Sequence, residues 1–297
     1  MTTAGSAPTA SRRPLGVSTW LWCSPLTDPD VARLAPRVAG WGFDVLEMPV
    51  EGVGDWDPAA ARRVLDDCGL GATVCLVTGE GRELVDAPDD VVRRTQDYLR
   101  AVVDAAHAVG ADVIGGPAYA SVGRTWALEG AARTAAYARW AEALVPVAEH
   151  ARAAGVRIAV EPLNRYETSF LNTVEQALEA LDHLPAEVAD AVGLLLDTYH
   201  LNIEERDPVA AVRAAGDRIA HVQASGTHRG TPGDDHADWP GLVAALDAVG
   251  YAGAVCIESF TPDNATIARA ASIWRPLAAS QDALAVDGLA HLKEVGA

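Results

Sequence analysis

Four stretches of the chain place ionisable or amide side chains at the ends of short apolar runs. IAVEPLNRYE presents Glu161, and LLLDTYH presents Asp197 with His200 three residues on. IAHVQASGTHRG presents His221 and Gln223, and VCIES presents Glu258. Three carboxylates converging on one place repel strongly unless a cation neutralises them. A divalent metal is the economical explanation. Each acid alone has a local alternative, since Glu161 precedes Pro162 and Asp197 can cap a short turn. Three acids in register on successive strands argue against that. One chemistry open to such a centre is proton abstraction beside a carbonyl. A metal polarising the carbonyl and its neighbouring hydroxyl stabilises the enediolate. One carboxyl group then removes the proton while another delivers one to the opposite face of the carbon.

Such residues need a frame. Candidate strands are Gly16–Trp20, Phe43–Pro49, Ala72–Val77, Asp112–Pro117, Arg157–Glu161, Gly193–Asp197, Arg218–Ala224 and Ala254–Glu258. Many are continuous and β-branched, as strands covered on both faces should be. Between them lie helical patterns at Asp28–Gly40, Pro58–Gly69, Pro88–Gly110, Thr125–Gly155, Thr173–His183, Asp207–Gly216, Asp238–Gly250 and Ala265–Val295. DPDVARLAPRVAGWG and DWPGLVAALDAVGYAG carry the clearest start and stop residues. Eight strands alternating with eight helices predict a single (β/α)8 TIM barrel over residues 14–297, with parallel strands and right-handed crossovers. In such a barrel the site lies at the C-terminal strand ends, where the four stretches put their polar groups. A doubly wound sheet would want a glycine-rich loop after the first strand, and WCSPLTDPD is not one. Neither an internal repeat nor a domain linker is visible.

Composition narrows the classes. Of 297 residues, 23 are Lys or Arg and 41 are Asp or Glu, a formal charge of −18. Without a basic stripe, nucleic acid is excluded as an expected partner. No apolar run approaches the ~18 residues that cross a bilayer, so no membrane partner is expected. The four cysteines include no CxxC pair, which leaves neither a disulfide framework nor a cysteine zinc site. Residues 1–13 read as a disordered tail. The stretch after the twin arginine Arg12-Arg13, LGVSTWLWCSPL, reads as a first strand and turn rather than a signal core, giving a cytoplasmic enzyme.

EPLNRYETSFLNT, LLLDTYHLNIEE, THRGTPG and VCIESF resemble the xylose-isomerase-like superfamily of sugar isomerases and epimerases, and most of all its D-tagatose and D-psicose 3-epimerase group. GGPAYASVGR, FDVLEMPVE and IWRPLAASQDALAVDGLAHL extend the likeness from about Gly16 to Leu292. The resemblance implies that Glu161, Asp197 and Glu258 ligate the metal and that the two glutamates are the acid/base pair. It also implies that Glu167, His200 and Arg229 contact substrate oxygens, and that the chain forms a homodimer or homotetramer. The group carries a metal-binding His where this sequence has Gln223. Hydroxypyruvate isomerases of the superfamily have Gln there. His221 is the competitor, on the same strand face one layer away. Gln223, nearer the mouth, is favoured. With Gln223 every protein donor is oxygen, which favours Mn²⁺, or Mg²⁺, over zinc, with Co²⁺ a further alternative.

Each remaining candidate has a structural alternative. His200 is expected in a loop, Arg229 is alternatively a loop-locking ion pair, and Glu167 alternatively pairs with Arg165. Trp20, Trp22, Trp56 and Trp126 fall near loop positions where a flat ring can pack on a sugar. Tyr119 and Arg124, after the GGP of the fourth strand, are expected to line the same pocket. His228 and His236 read as polar loop groups. The leading function is a metal-dependent ketose epimerase or isomerase acting on an unphosphorylated sugar. Alternatives are a hydroxypyruvate-isomerase-like aldose–ketose isomerase and a C-glycoside deglycosidase, a lyase working with a small second subunit. An abasic-site endonuclease would need a His-rich site and a positive face, and retention of both glutamates argues against a barrel that only binds sugar.

Overall fold

The protein is described by a computed structural model over residues 12–297. Eight parallel strands close into one barrel in chain order. They are β1 (Leu15–Ser18), β2 (Val45–Val50), β3 (Gly71–Leu76), β4 (Val113–Gly116), β5 (Arg157–Val160), β6 (Val192–Asp197), β7 (Ile219–Ala224) and β8 (Val255–Ile257). β1 pairs with both β2 and β8, which closes the ring. The helices outside it are α1 (Asp28–Trp41), α2 (Pro58–Cys68), α3 (Asp89–Val109), α4 (Gly130–Ala154), α5 (Val174–Leu181), α6 (Thr198–Glu204), α7 (Pro208–Ala215), α8 (Trp239–Ala248), α9 (Ala265–Ala270) and α10 (Gln281–Glu294).

The local chemistry that starts and stops these elements is ordinary. The Asp57 carboxylate accepts from Ala60 N at 2.9 Å to start α2, with Pro58 at the first helical position. Asp207 and Asp238 do the same for α7 and α8. Two expectations change. Ala265–Val295 is two helices, because the chain turns left-handed at Ser272, φ 58°, just past the Ala271 cap of the first. The stretch after β6 is the short helix α6, so His200 is helical rather than in a loop.

Of the tail assigned to residues 1–13, residues 1–11 lie outside the described residues. Arg12 and Arg13 belong to the fold. Arg12 forms an ion pair with Asp44, and the buried Arg13 donates to Tyr251 O at 2.8 Å and pairs with Asp247. All four cysteines are free thiols.

The main core lies between sheet and helices, while the lumen has a different character. Glu47 on β2 and His221 on β7 are separated around the ring by β1 and β8, yet their side chains meet at 2.6 Å. They can do so only across the lumen. Thr73 joins Glu47 at 3.3 Å and Cys256 at 3.5 Å. Small and polar residues therefore occupy space that branched apolar side chains fill in most such barrels.

A candidate metal and proton-transfer centre at the barrel mouth

β5 and β6 deliver the first two acids. Glu161 follows β5 directly, and its N–H donates to Gly116 O at 3.1 Å. Gly116, last in β4, has φ 144°, and a Cβ there would lie 2.2 Å from Leu76 O, so only glycine lets β3, β4 and Glu161 come this close. Asp197 ends β6 and caps α6, its Oδ1 accepting from Tyr199 N at 2.7 Å. The local role and the site role coexist because they use different oxygens: Oδ2 pairs with Arg229. Glu258 follows β8. Its Oε1 accepts from Gln223 Nε2 at 3.1 Å and its Oε2 from Arg229 Nη2 at 2.7 Å.

Arg229 is the cation that Asp197 and Glu258 share in this structure. It is buried, and its guanidinium lies 4.7 Å from the ring centres of both Tyr199 and Phe260. Its backbone is left-handed at φ 69°, a conformation that bulky residues hold only where their surroundings dictate it. Here the surroundings are a tight turn: Arg229 N donates to Gly226 O at 2.8 Å, and Phe260 N donates to Arg229 O at 3.1 Å.

His200 is buried on α6, with Nε2 3.5 Å from Glu161 Oε1 and 4.0 Å from Asp197 Oδ2. Ligand atoms of Glu161, Asp197 and His200 lie within 4.8 Å of one another, a grouping able to hold a metal. The hydrogen bonds restrict His200, however. Asn164 N donates to its Nδ1 at 3.0 Å, so the ring proton sits on Nε2. Burial pushes its pKa down to about 3, with Arg229 adding to the shift and Asp197 opposing it, so the ring is neutral. His200 thus points an N–H into the site, a donor rather than a lone pair.

Burial raises the pKa of Glu161 well above the usual carboxylate range, helped by the charges of Glu258 and Asp197 and opposed by Arg229. Burial pushes Glu258 up to about 8 despite the pull of Arg229. Glu161 Oε1 and Gln223 Oε1 are both buried and without a hydrogen-bond partner among the described residues. Two orphaned oxygens beside Asp197 and Glu258 fit a hard divalent cation. Glu161, Asp197, Gln223 and Glu258 are the candidate oxygen donors for it.

Of these groups, Glu161 and Glu258 border an open cavity at the barrel mouth. Of the residues expected to meet substrate, Glu167, His200, Arg229 and Trp20 line it. Glu167 does not pair with Arg165. It accepts from Asn164 Nδ2 at 2.7 Å, while Arg165 pairs with Glu204. Trp20 donates to Glu51 Oε1 at 2.9 Å. Leu76, Val77, Phe260 and Ile267 give the cavity an apolar side.

Tyr119 is a correction. It lies behind the site, buried against Phe170, and its hydroxyl donates to the Glu161 carbonyl at 2.9 Å. It steadies the β5 end instead of lining the cavity. Arg124 pairs with Glu83 and stacks on Trp126, and Trp22, Trp56 and Trp126 also lie away from the cavity. Two residues escaped the sequence reading: Glu51, at the cavity wall, and Glu47, beneath Gln223. The signal for Glu47 was present, since an acid inside the apolar run VLEMPV must face a partnered place.

A sequence model described as the xylose isomerase-like TIM barrel matches residues 36–295, and the chain belongs to that family. It is 34% identical over 282 residues to a probable ketose 3-epimerase from Synechocystis sp., covering 94% of this chain and 95% of the other. It is 31% identical over 274 residues to an L-ribulose 3-epimerase from Mesorhizobium japonicum, covering 91% and 90%. The solved structure of a D-allulose 3-epimerase from Methylomonas sp. superposes with a TM-score of 0.87 at 27% identity, covering 96% of this chain and 98% of that one. The similar proteins thus include ketose 3-epimerases, and no described helix is long and apolar enough to cross a membrane.

Proposed function

We propose that this protein is a divalent-metal-dependent ketose 3-epimerase acting on unphosphorylated sugars, with Mn²⁺ as its metal. The observation that carries the reading is the pair of partnerless buried oxygens on Glu161 and Gln223, beside two acids, Asp197 and Glu258, that share one arginine. The names of the full-length relatives support the reaction class. Glu161, Asp197, Gln223 and Glu258 would hold the cation. When bound, it supplies Lewis-acid polarisation of the substrate carbonyl and a positive field for the developing enediolate.

The protein's own groups do the rest. Glu161 and Glu258 approach from β5 and β8, so that one takes the proton from the carbon beside the carbonyl and the other returns one to the opposite face. In the metal-free protein the two crowded, buried carboxyl groups do not ionise together. His200 donates its Nε2–H, and Arg229 its guanidinium hydrogens, to substrate oxygens. Glu167 accepts from a hydroxyl. Trp20 and the apolar side of the cavity pack on the sugar's C–H groups.

The test is to incubate Mn²⁺-loaded protein in deuterated water with a panel of free ketoses and keto-glycosides. Deuterium at carbon 3 with inverted stereochemistry is expected. Label on the neighbouring carbon would instead give aldose–ketose isomerisation, and aglycone release from a keto-glycoside would give the lyase. Absence of label from every ketose contradicts the proposal.

A further inference from the structure

Glu47 lies within β2, fully buried, and takes no part in the reaction described above. Its Oε1 accepts from Gln223 Nε2 at 2.8 Å, and its Oε2 accepts from His221 Nε2 at 2.6 Å. Gln223 Nε2 also donates to Glu258 Oε1 at 3.1 Å. Both amide hydrogens of Gln223 are therefore committed to carboxylates, one below and one beside it.

A glutamine amide has two orientations of nearly the same shape but opposite hydrogen-bonding sense. Turned over, Gln223 would face Oε1 against the Glu47 carboxylate oxygen with no hydrogen between them. Only one sense is compatible with the Glu47 carboxylate, and in it Gln223 Oε1 is the buried oxygen without a partner. His221 holds the other oxygen of Glu47 and so fixes the plane of the carboxylate that does the orienting. This also accounts for His221 without making it a ligand, since its Nε2 faces Glu47.

We propose that Glu47 is a positioning residue of the metal centre: by holding the Gln223 amide in one sense, it presents Oε1 to the cation. This rests on the reading of Gln223 as a ligand.

The test measures Mn²⁺ affinity of the metal-stripped full chain, by the paramagnetic resonance signal of free Mn²⁺. The variants are Glu47→Gln, Gln223→Ala and the two combined. Glu47→Gln is expected to weaken binding about 10- to 100-fold, the usual effect of losing a group that orients a ligand. Gln223→Ala is expected to weaken it by a similar factor, and the combination to be no weaker than Gln223→Ala alone. That non-additivity separates orientation from charge. If Glu47→Gln weakens binding by the same factor in the Gln223→Ala background, Glu47 acts through its charge or the fold and the proposal is overturned. Glu47→Asp keeps the charge and shortens the reach. It covers the case in which Glu47→Gln does not fold, and wild-type affinity in this variant also overturns the proposal. A wild-type chain that takes up no Mn²⁺, or undiminished binding in Gln223→Ala, overturns the metal reading itself and the role of Glu47 with it.

Discussion

Replacing Arg229 with methionine tests whether a cation is meant to stand among these acids. The guanidinium makes ion pairs with Asp197 and Glu258, and all three groups are buried. Removing one member of a buried pair typically costs about 3–5 kcal/mol, because the remaining charge loses its partner. Methionine restores much of the packing against Tyr199 and Phe260 and inherits the same left-handed backbone, so neither confounds the comparison. For a chain of this length each kcal/mol moves Tm by about 1.5–2 °C, giving an expected loss of roughly 5–10 °C in metal-free protein. With saturating Mn²⁺ the bound charge replaces the missing one, and most of the loss should vanish. Scanning calorimetry on both proteins, with and without Mn²⁺, reads the difference directly. Mn²⁺ should raise the Tm of Arg229→Met by more than it raises that of wild type. Equal losses in the two conditions would mean that Arg229 holds a structural ion pair unrelated to a metal site, and the reasoning would fail.

Further predictions concern the other parts of the centre. His200→Gln should lower kcat/KM for a ketose while leaving Mn²⁺ affinity within about twofold, because the proton on Nε2 makes the ring a donor; a large loss of Mn²⁺ affinity would make His200 a ligand. The pH dependence follows from Glu161 and Glu258. Their folded-state pKa values are raised, so the unfolded chain releases these protons first as pH rises. Metal-free protein should therefore lose stability between about pH 4.5, the ordinary carboxyl value, and about 8, the raised value of Glu258. The loss from Glu258 is on the order of 5 kcal/mol. Stabilisation by Mn²⁺ should grow over the same window, and denaturant melts at a series of pH values check both slopes. Gln223→His should shift metal preference toward zinc and Co²⁺, measured by competition against Mn²⁺. Gly116→Ala forces a side chain at φ 144° against Leu76 O and should cost at least ~2 kcal/mol, seen as a lower Tm.

Most of the frame was readable because the crossovers repeat one pattern: an apolar run, then a helical stretch, several of them opened by Asp, Asn or Thr and many closed by Gly. The four polar strand ends were readable for a related reason, since parallel strands put the residue after each apolar run at one end of the barrel. What escaped was tertiary. Asp197 ends a strand and starts a helix at once, so α6 was hidden in what read as loop. Tyr119 sits next to the cavity in sequence, but its chain turns inward after Gly116, and only packing against Phe170 reveals that. Arg229 joins acids from two strands, a choice among many carboxylates that spacing cannot make. Glu47 was masked by its apolar neighbours, and its partner on the far side of the lumen lies 174 positions away.

The most direct measurement is diffraction from Mn²⁺-soaked crystals at a wavelength where manganese scatters anomalously. A single peak is expected within about 2.0–2.6 Å of oxygens from Glu161, Asp197, Gln223 and Glu258, with Arg229 withdrawn from at least one acid. No peak, or one seated on Glu47, His221 and Cys256 instead, would contradict the account.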